Sequence, residues 1–288
     1  MISIHSVVFF ILTLLLAPAL PGIINKVKAF FGGKMGPPVL QLYYDIAKLM
    51  RKSAAYSQTA SMVTRLAPVV IFFSTLGAAL LVPFFFSEAC CRFAGDVILM
   101  AYLLGIGRFF MVIAAMDRGS AFEGMGASRE VLYSALAEPA FFCGLLVLIN
   151  ETGDLSLSGI FSGLSTELWR QNPAIMLLIA VSWMIVLLTE NARIPVDDPN
   201  THLELTMIHE VMILDYSSKD LGLIEYASAL KLWLFSSLLV GLTITAGAVP
   251  SYLHIPVFML GMCAVAVIIG CVESTIRSEE HTSELQSH

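Results

Sequence analysis

The sequence predicts an all-α, polytopic membrane protein. Of its 288 residues, 57% are hydrophobic and only 13% are charged. About seven runs are long enough to cross a bilayer, which needs about 20 apolar residues per helix. These runs do not alternate between polar and apolar residues, as the strands of a membrane barrel would. The predicted spans cover roughly residues 3–24, 66–87, 95–116, 132–150, 174–190, 221–248 and 253–276.

The two ends of the chain need separate interpretation. The first run is followed by "APALPG", which resembles a signal-peptide cleavage site, but no Lys or Arg precedes the long run, so a retained helix is favoured. The last twelve residues, "RSEEHTSELQSH", read as a translated sequencing adapter. We therefore predict one helical membrane domain, residues 1–276, and a non-native tail, residues 277–288. The natural chain is expected to continue past Ile276, with an eighth helix.

The loop charges predict the orientation, because loops rich in Lys and Arg stay in the cytoplasm. Arg92 and Arg170 are the basic residues of the opposite loops. The N-terminus is therefore expected outside the cell, in the inner (plasma) membrane, with three large polar loops in the cytoplasm. The outer loop 151–172 is expected to be a structural cap, although a short interfacial helix is the alternative. The basic residues of the three polar loops are Lys26, Lys28, Lys34, Lys48, Arg51, Lys52, Arg65, Arg118, Arg129, Arg193 and Lys219.

The first polar loop predicts an amphipathic interfacial helix. From Val39 to Met50 the apolar residues recur at helical spacing, and the other face carries Gln41, Asp45 and Lys48. Such a helix either anchors the chain to acidic lipids or forms a docking surface for a peripheral protein.

The second polar loop, "DRGSAFEGMGASREVLYSALAEP", is predicted to interrupt the helices with its glycines at positions 119, 124 and 126. Ser128 is then expected to cap the next helix. Glu138 lies inside that helix beside Pro139, which is expected to kink it. Glu138 is either a hydrogen-bonded structural acid or a protonatable site on a polar path.

Two basic residues lie within predicted spans, where charge is costly unless it is paired or hydrated. Arg108 follows Gly105 and Gly107, and it is expected to face protein or water, with Glu138 as a candidate partner. Lys231 lies in the cytoplasmic half of its span, so its long stem can carry the ammonium to the interface.

The third polar loop, "ENARIPVDDPNTHLELTMIHE", runs from Glu190 to Glu210 and contains five carboxylates, two histidines and one arginine. Pro195 is expected to end the preceding helix, and Asp198 followed by Pro199 predicts the start of a short helix. Its apolar stripe would comprise Leu203, Met207, Ile208 and Val211.

The acidic stretch is open to several interpretations. A metalloprotease motif is excluded because Ile213 stands where a second histidine would be needed after His209. A zinc site built from His202, His209 and one acid is the weaker alternative, and a solvated acidic face is another. Clustered acids near a low dielectric repel each other and tend to take up protons, which favours a proton relay or a charge-sensitive gate.

The three loops together resemble the membrane subunit 1 family of respiratory complex I and of membrane-bound [NiFe] hydrogenases. The first loop resembles the family's G-P…L-Q…D…K-L…K element, and the third resembles its E-x-x-R-I-P-x-D…E-L pattern, followed by "DYS" at Asp215–Ser217. The matching residues are Gly36, Pro37, Leu40, Gln41, Asp45, Lys48, Leu49, Lys52, Glu190, Arg193, Ile194, Pro195, Asp197, Glu204 and Leu205.

The departures from the family pattern favour its hydrogenase branch. Complex I members carry further acids where this chain has Asn200 and His202, the first loop is shortened after Gly36–Pro37, and "FEGMGASRE" is closer to the hydrogenases. The resemblance thus implies a membrane subunit of formate hydrogenlyase or hydrogenase-4 type. A quinone-site subunit of a complex I-like NADH dehydrogenase is the alternative. A stand-alone secondary transporter is disfavoured, since no internal repeat is visible.

The resemblance also implies roles and partners. The chain is not expected to be catalytic alone or to bind a cofactor, and its five cysteines show no C-x-x-C spacing. The [NiFe] centre and the Fe–S clusters would lie on a hydrogenase large subunit and a small subunit, beside antiporter-like membrane subunits. No nucleic-acid partner is expected. Proton-relay candidates are Arg108, Glu138, Glu190, Asp197, His202, Glu204, His209 and Glu210; candidates for docking the peripheral arm are Gly36, Pro37, Gln41, Asp45, Lys48, Phe122, Gly124, Gly126, Arg129, Arg193 and Pro195.

Overall fold

The computed structural model describes residues 4–53, 61–197, 207–245, 247 and 249–286, with no account of the side chains after Ile276. Helices and no strands are found in these ranges, which confirms the all-α prediction. The α-helices are α1 (Ile4–Leu16), α2 (Ala19–Phe31), α3 (Gln41–Met50), α4 (Met62–Leu81), α5 (Asp96–Asp117), α6 (Ala121–Thr152), α7 (Leu157–Gly163), α8 (Thr166–Gln171), α9 (Pro173–Glu190), α10 (His209–Ile213), α11 (Ser218–Thr243) and α12 (His254–Gln286).

The predicted membrane spans are confirmed, with one change at the N-terminus. Within the described ranges, six segments are long and apolar enough to cross a membrane, namely α4, α5, α6, α9, α11 and Ser251–Ile276. The first predicted span is instead two helices, α1 and α2, bent by 42°. Pro18 lies at the bend and has no N–H to donate to the carbonyl of Leu14. The hydroxyl of Tyr226 donates to that carbonyl at 2.8 Å, so the broken helix leaves it satisfied.

The predicted amphipathic helix is present as α3, but it packs on the bundle. It contacts α2 and α11. Gly22 on α2 makes this approach possible, because a Cβ there would overlap the Val39 carbonyl. The hydroxyl of Tyr43 also donates to the carbonyl of Leu15, which ties α3 to the bend between α1 and α2. The Gln41–Asp45 side of α3 therefore faces an internal cavity, whereas it was expected to face solvent.

The prediction for the second polar loop is wrong in one respect. Gly119 does end α5, with a positive φ of 69°. However, α6 begins at Ala121 and runs without interruption through Gly124, Gly126 and Pro139. Ser128 lies inside this helix, and its hydroxyl donates to the Met125 carbonyl at 2.8 Å, so it does not cap the helix. Packing explains the difference, because Gly126 admits α10 so closely that a Cβ would lie 2.9 Å from the Ile208 carbonyl oxygen.

Among the described membrane spans, α11 is the most deeply buried, and it contacts α2, α3, α4, α9 and α12. Leu230, Trp233 and Leu242 are fully or almost fully buried on it. A charged residue on α11 therefore has protein on most sides. At one end of the bundle, Leu157 and Ile160 of α7 are fully buried, and the Leu157 amide donates to Asp96 at 2.7 Å. Residues 151–172 thus form the expected cap.

The opposite end of the bundle carries the three polar loops. We call it the polar end and define it by residues 32–53, 118–120, 191–197 and 207–217. The loops are joined there, since the Ser218 hydroxyl donates to the Ser53 carbonyl at 2.5 Å and Arg118 donates to the Met212 carbonyl at 3.4 Å. The side of the membrane on which this end lies stays a prediction.

Candidate functional site

A cluster of five charged side chains lies between α5, α6, α9 and α11. Arg108 is its centre, and two of its bonds go to Glu190, at 2.6 and 2.7 Å. Arg108 also pairs with Glu138, which confirms the partnership considered from the sequence, and its Nε lies 3.5 Å from Glu130. Lys231 completes the cluster, with its Nζ 2.9 Å from Glu190. We call these five residues the membrane cluster.

Helix packing directs Arg108 into this cluster. Gly107 lets α5 approach α4, since a Cβ there would lie 2.8 Å from Ser74 Oγ. The next residue along a helix points about 100° away, so Arg108 is turned from α4 toward α6 and α9. Its side chain is 11% exposed and that of Glu190 is 4% exposed. Burial of such charges costs several kcal/mol each unless they are paired.

The structure corrects the interpretation of Lys231. Its ammonium does not extend to the interface alone, because it pairs with the almost fully buried Glu190. Glu190, a proton-relay candidate at the start of the third polar loop, is the last residue of α9. Glu130 was not singled out from the sequence, but it belongs to the cluster. An acid near an apolar span is a signal that could have identified it.

A cavity of about 400 Å³ lies at the polar end of the bundle, next to the membrane cluster. Unlike a typical ligand pocket, which is mostly apolar, it is lined by many charged groups. It combines residues from the first and third polar loops with residues of α2, α11 and α12. The polar side chains around it are Asn25, Lys28, Gln41, Asp45, Asn191, Arg193, Asp197, His209, Glu210, Glu225, Ser228 and Glu273.

Two smaller cavities continue from this one to Glu138. The first, of about 60 Å³, shares Asn191, His209 and Ser228 with the large cavity and reaches Arg108 and Lys231. The second, of about 30 Å³, is lined by Arg108, Glu138 and Glu190 together with Phe141 and Phe235. Each cavity shares lining residues with the next one, so the three form a row from the polar end to the membrane cluster. We call this the cavity row.

The described part of the third polar loop contains one short helix, α10. Met207 and Ile208 precede α10, which begins at His209. The buried carboxylate of Asp197 accepts the amide N–H groups of Ile208 at 3.0 Å and of His209 at 2.9 Å, so Asp197 caps this helix from outside. The predicted cap Asp198, and Pro199, His202, Leu203 and Glu204, lie outside the described residues. In the described part, no group of three or more His, Cys, Asp or Glu side chains could hold a metal ion.

The docking candidates occupy three kinds of position: the wall of the large cavity, packed positions within the fold, and the exposed surface. Gln41, Asp45 and Arg193 line the large cavity, and Gln41 donates to Asp45 at 3.0 Å. Gly36 accepts a hydrogen bond from Lys26 at 3.0 Å, Gly126 packs against α10, and Arg129 donates to the Met207 carbonyl at 3.2 Å. Gly124 is half-buried within α6. The exposed candidates are Pro37, Lys48 and Pro195 at the polar end and Phe122 in the adjoining first turn of α6.

A second buried ion pair holds α10 against the bundle. Arg118 and Glu123 are 2.8 Å apart, with side chains 1% and 2% exposed. The guanidinium also lies over the ring of Tyr216, 3.9 Å from its centroid. Burial raises the pKa of Tyr216 to about 12. Its hydroxyl therefore stays protonated and donates to the Thr64 carbonyl at 3.0 Å.

His209 lies where the large cavity meets the next one. Its Nε2 is buried without a hydrogen-bond partner in the described part of the chain. Burial, and then the positive charges of Lys231 and Arg193, lower its pKa to about 4. The imidazole is therefore neutral at neutral pH.

This lowered pKa predicts a dependence of stability on pH. An unfolded chain takes up a proton on this histidine near its ordinary pKa of 6.5, whereas the folded chain does so only near 4. The stabilisation is complete above pH 6.5 and is lost as the pH falls toward 4. The thermal midpoint of the purified complex should therefore fall less between pH 7.5 and 5 in His209→Gln than in the wild type. Equal falls in both proteins would refute the prediction, and the exposed His5, replaced by Gln, is the matched control.

Comparison with known proteins identifies the family. A family model described as NADH dehydrogenase matches residues 4–278. The chain is 31% identical to hydrogenase-4 component C of Escherichia coli (strain K12) over 237 residues, covering 82% of this chain and 74% of that protein. It is 29% identical to formate hydrogenlyase subunit 4 of the same strain over 261 residues, covering 90% of this chain and 81% of that protein.

A solved structure agrees with the observed fold. It is a chain in the structure of the membrane-bound sulfane sulfur reductase, an archaeal respiratory membrane complex. The TM-score is 0.78 at 20% identity, over 94% of this chain and 88% of that chain. The chain described here therefore belongs to the NADH dehydrogenase (complex I subunit 1) family, and it is a membrane subunit of a complex I-like or membrane-bound hydrogenase complex.

Proposed function

We propose that this chain anchors the peripheral arm of a proton-translocating hydrogenase complex and passes protons between that arm and the membrane. The observation that carries the proposal is the cavity row, which runs from the polar end to Arg108, Glu190 and Glu138. Buried ionisable groups within membrane spans are costly, and they commonly mark proton or ion paths.

The large cavity is the proposed entrance. Its lining includes the carboxylates of Asp45, Glu210 and Glu225 and the neutral imidazole of His209. A space of about 400 Å³ with such walls holds several waters, which can bridge these groups. The entrance lies beside the loops that would contact the arm, so protons would be exchanged where electron transfer ends.

The membrane cluster is the proposed proton store. Three carboxylates, Glu130, Glu138 and Glu190, face two cations, Arg108 and Lys231. One added proton makes the cluster neutral, and its loss leaves one negative charge in surroundings of low dielectric. A change of charge near the arm can shift this balance, because charges interact strongly where water is scarce.

Glu138 is the proposed exit. Its side chain is 48% exposed, although it pairs with the almost fully buried Arg108. Neighbouring residues of the same helix face outward and are apolar, with Leu132 61% and Leu136 67% exposed. A carboxylate facing hydrocarbon is strongly disfavoured. We therefore infer that an antiporter-like membrane subunit covers this flank and exchanges a proton with Glu138.

The polar end is the proposed docking surface for the arm. Pro37, Lys48 and Pro195 are exposed there, and Phe122 is exposed in the adjoining first turn of α6. In this proposal the hydrogenase large subunit holds the [NiFe] centre and the small subunit holds the Fe–S clusters. The similarity to two hydrogenase-complex subunits supports this type of arm.

A quinone-site subunit is the second candidate. The volume of the large cavity lies within the ordinary range for small-molecule sites, so a quinone headgroup fits by size. Its many carboxylates favour a hydrated space over an apolar ligand. The identity of the bound partners separates the two candidates.

The first measurement is the purification of the native complex in mild detergent, with its partners identified and nickel and quinone assayed. Nickel, a hydrogenase large subunit and hydrogen evolution from reduced methyl viologen are expected. A nickel-free complex that reduces quinone would replace the hydrogenase proposal by the second candidate.

The coupling is tested with Glu138→Gln in the same complex, reconstituted in liposomes. Proton movement per turnover is expected to fall at least about tenfold, while viologen-linked turnover continues, because the amide cannot release a proton. Glu151→Gln, an exposed position at the cap, is the matched control. Unchanged proton movement in Glu138→Gln would exclude this exit.

A further inference from the structure

A second set of three charged side chains lines the large cavity. Glu273, on α12, lies with its Oε2 2.7 Å from Lys28 Nζ and its Oε1 3.5 Å from Arg193 Nη1. The carboxylate side chain is 1% exposed, whereas those of Lys28 and Arg193 are 26% and 21% exposed. All three line the cavity. We call them the wall triad.

The wall triad joins three separate parts of the fold. Lys28 lies in the last turn of α2, and Arg193 lies in the turn after α9. The contact between α2 and α12 is close, since a Cβ at Gly270 would lie 2.8 Å from Val27 Cβ and 3.3 Å from the Ile24 carbonyl oxygen. Glu273 lies about one turn beyond Gly270, so this packing brings its carboxylate to the last turn of α2.

Charge holds this arrangement together. Neither oxygen of Glu273 receives a well-aligned hydrogen bond in the described part of the chain, although both lie near cations. A buried carboxylate in that state depends on its cations, because their removal would leave its charge uncompensated. The side chains of Lys28 and Arg193 line the cavity, and each is more than a fifth exposed. Because they are only partly enclosed, their ion pairs with Glu273 determine where their charges lie.

We propose that Glu273 is a positioning residue that holds Lys28 and Arg193 against the wall of the large cavity and thereby sets the electric field across the proton entrance. This inference rests on the proposed function. The other charged or titratable groups of the cavity come from the elements around it: Asp45 on α3, Asp197 after α9, His209 and Glu210 on α10, and Glu225 on α11. The positive charge of Arg193 already contributes to the lowered pKa of His209, so a displaced Arg193 changes the field there.

The positioning role is tested by the chemistry of Lys28 in the assembled complex. An amine-acylating reagent is applied at low conversion, and the modification of Lys28 is followed by mass spectrometry of this chain. Glu273→Gln should increase the acylation rate of Lys28 by about fivefold, because the ammonium loses its counter-ion. Glu273→Asp, which keeps the charge, should return the rate to within about twofold of the wild type. Lys219 is exposed and is not among the docking candidates, so it serves as the internal reference.

Glu225→Gln is the matched control, because it removes a carboxylate of the same cavity that forms no ion pair with Lys28. It should leave Lys28 acylation unchanged. An equal rate in wild type and Glu273→Gln, or an equal increase in Glu225→Gln, would overturn the proposal.

The second readout is the pH profile of proton movement in liposomes. Glu273→Gln should shift the profile, and Glu273→Asp should restore it. If Glu273→Gln accelerates Lys28 acylation but does not shift the pH profile of proton movement, the proposed effect of the wall triad on the proton entrance is refuted. Failure of the proposed function itself has a different signature: Glu138→Gln would keep full proton movement while Lys28 acylation still responds to Glu273→Gln.

Discussion

Replacement of Arg108 by methionine is expected to remove most of the assembled complex from the membrane. The substitution leaves Glu130, Glu138 and Glu190 without their shared cation, and Lys231 then faces three carboxylates. Loss of one partner of a buried ion pair costs about 3–5 kcal/mol of unfolding free energy, which is a large fraction of the stability of a domain. The amount of intact complex on native gels and its thermal midpoint measure the effect.

Two further variants make this result specific. Arg170→Met removes an arginine whose side chain is 82% exposed, so its effect on assembly should be small. Arg108→Lys keeps the charge but loses the separate nitrogens that contact Glu138 and Glu190, and it should recover part of the assembly. Full assembly of Arg108→Met would mean that these acids do not depend on Arg108 as their counter-charge.

Replacement of Arg118 by methionine is expected to release α10 from the bundle. Glu123 would remain buried without its cation, and the contact of the guanidinium with the Tyr216 ring and the Met212 carbonyl would be lost. The expected cost is again about 3–5 kcal/mol, because both charged side chains are almost fully buried. Hydrogen exchange of residues 209–216 in the intact complex should accelerate at least about tenfold.

Arg92→Met is the control for this second experiment. Arg92 pairs with Glu88 at 2.8 Å, but the two side chains are 42% and 65% exposed, so the loss should be small. Exchange in residues 209–216 should stay at the wild-type rate in that variant. If Arg118→Met behaves in the same way, Asp197 alone is sufficient to hold α10.

The predictions that depended on local properties were mostly confirmed. Long apolar runs identified the spans, because each helix must satisfy its own backbone in the membrane. Helical spacing after Val39 identified α3 within two residues. By contrast, the prediction that Gly124 and Gly126 interrupt the helix in the second polar loop was wrong. A glycine costs about 1 kcal/mol within a helix, and the close packing of α10 over Gly126 outweighs that cost.

The candidate site was predicted in part. Arg108 and Glu138 were singled out and do pair, and Asp197, His209 and Glu210 do line the cavity row. Glu273 was not singled out, although an acid within an apolar span is itself a signal. Lys231 was assigned to the interface because a long stem permits that position, and only the neighbouring Glu190 shows why it stays inside.

By itself the sequence determined the membrane spans, the amphipathic α3 and the concentration of charge in three loops, since these depend on composition and spacing along one helix. The tertiary structure decided which charges meet. Arg108, Glu190 and Lys231 come from three helices, and Lys28, Arg193 and Glu273 come from two helices and a turn. Helical periodicity indicates which face a residue occupies, but the neighbour of that face is chosen by packing, such as the approach that Gly22, Gly107 and Gly270 permit.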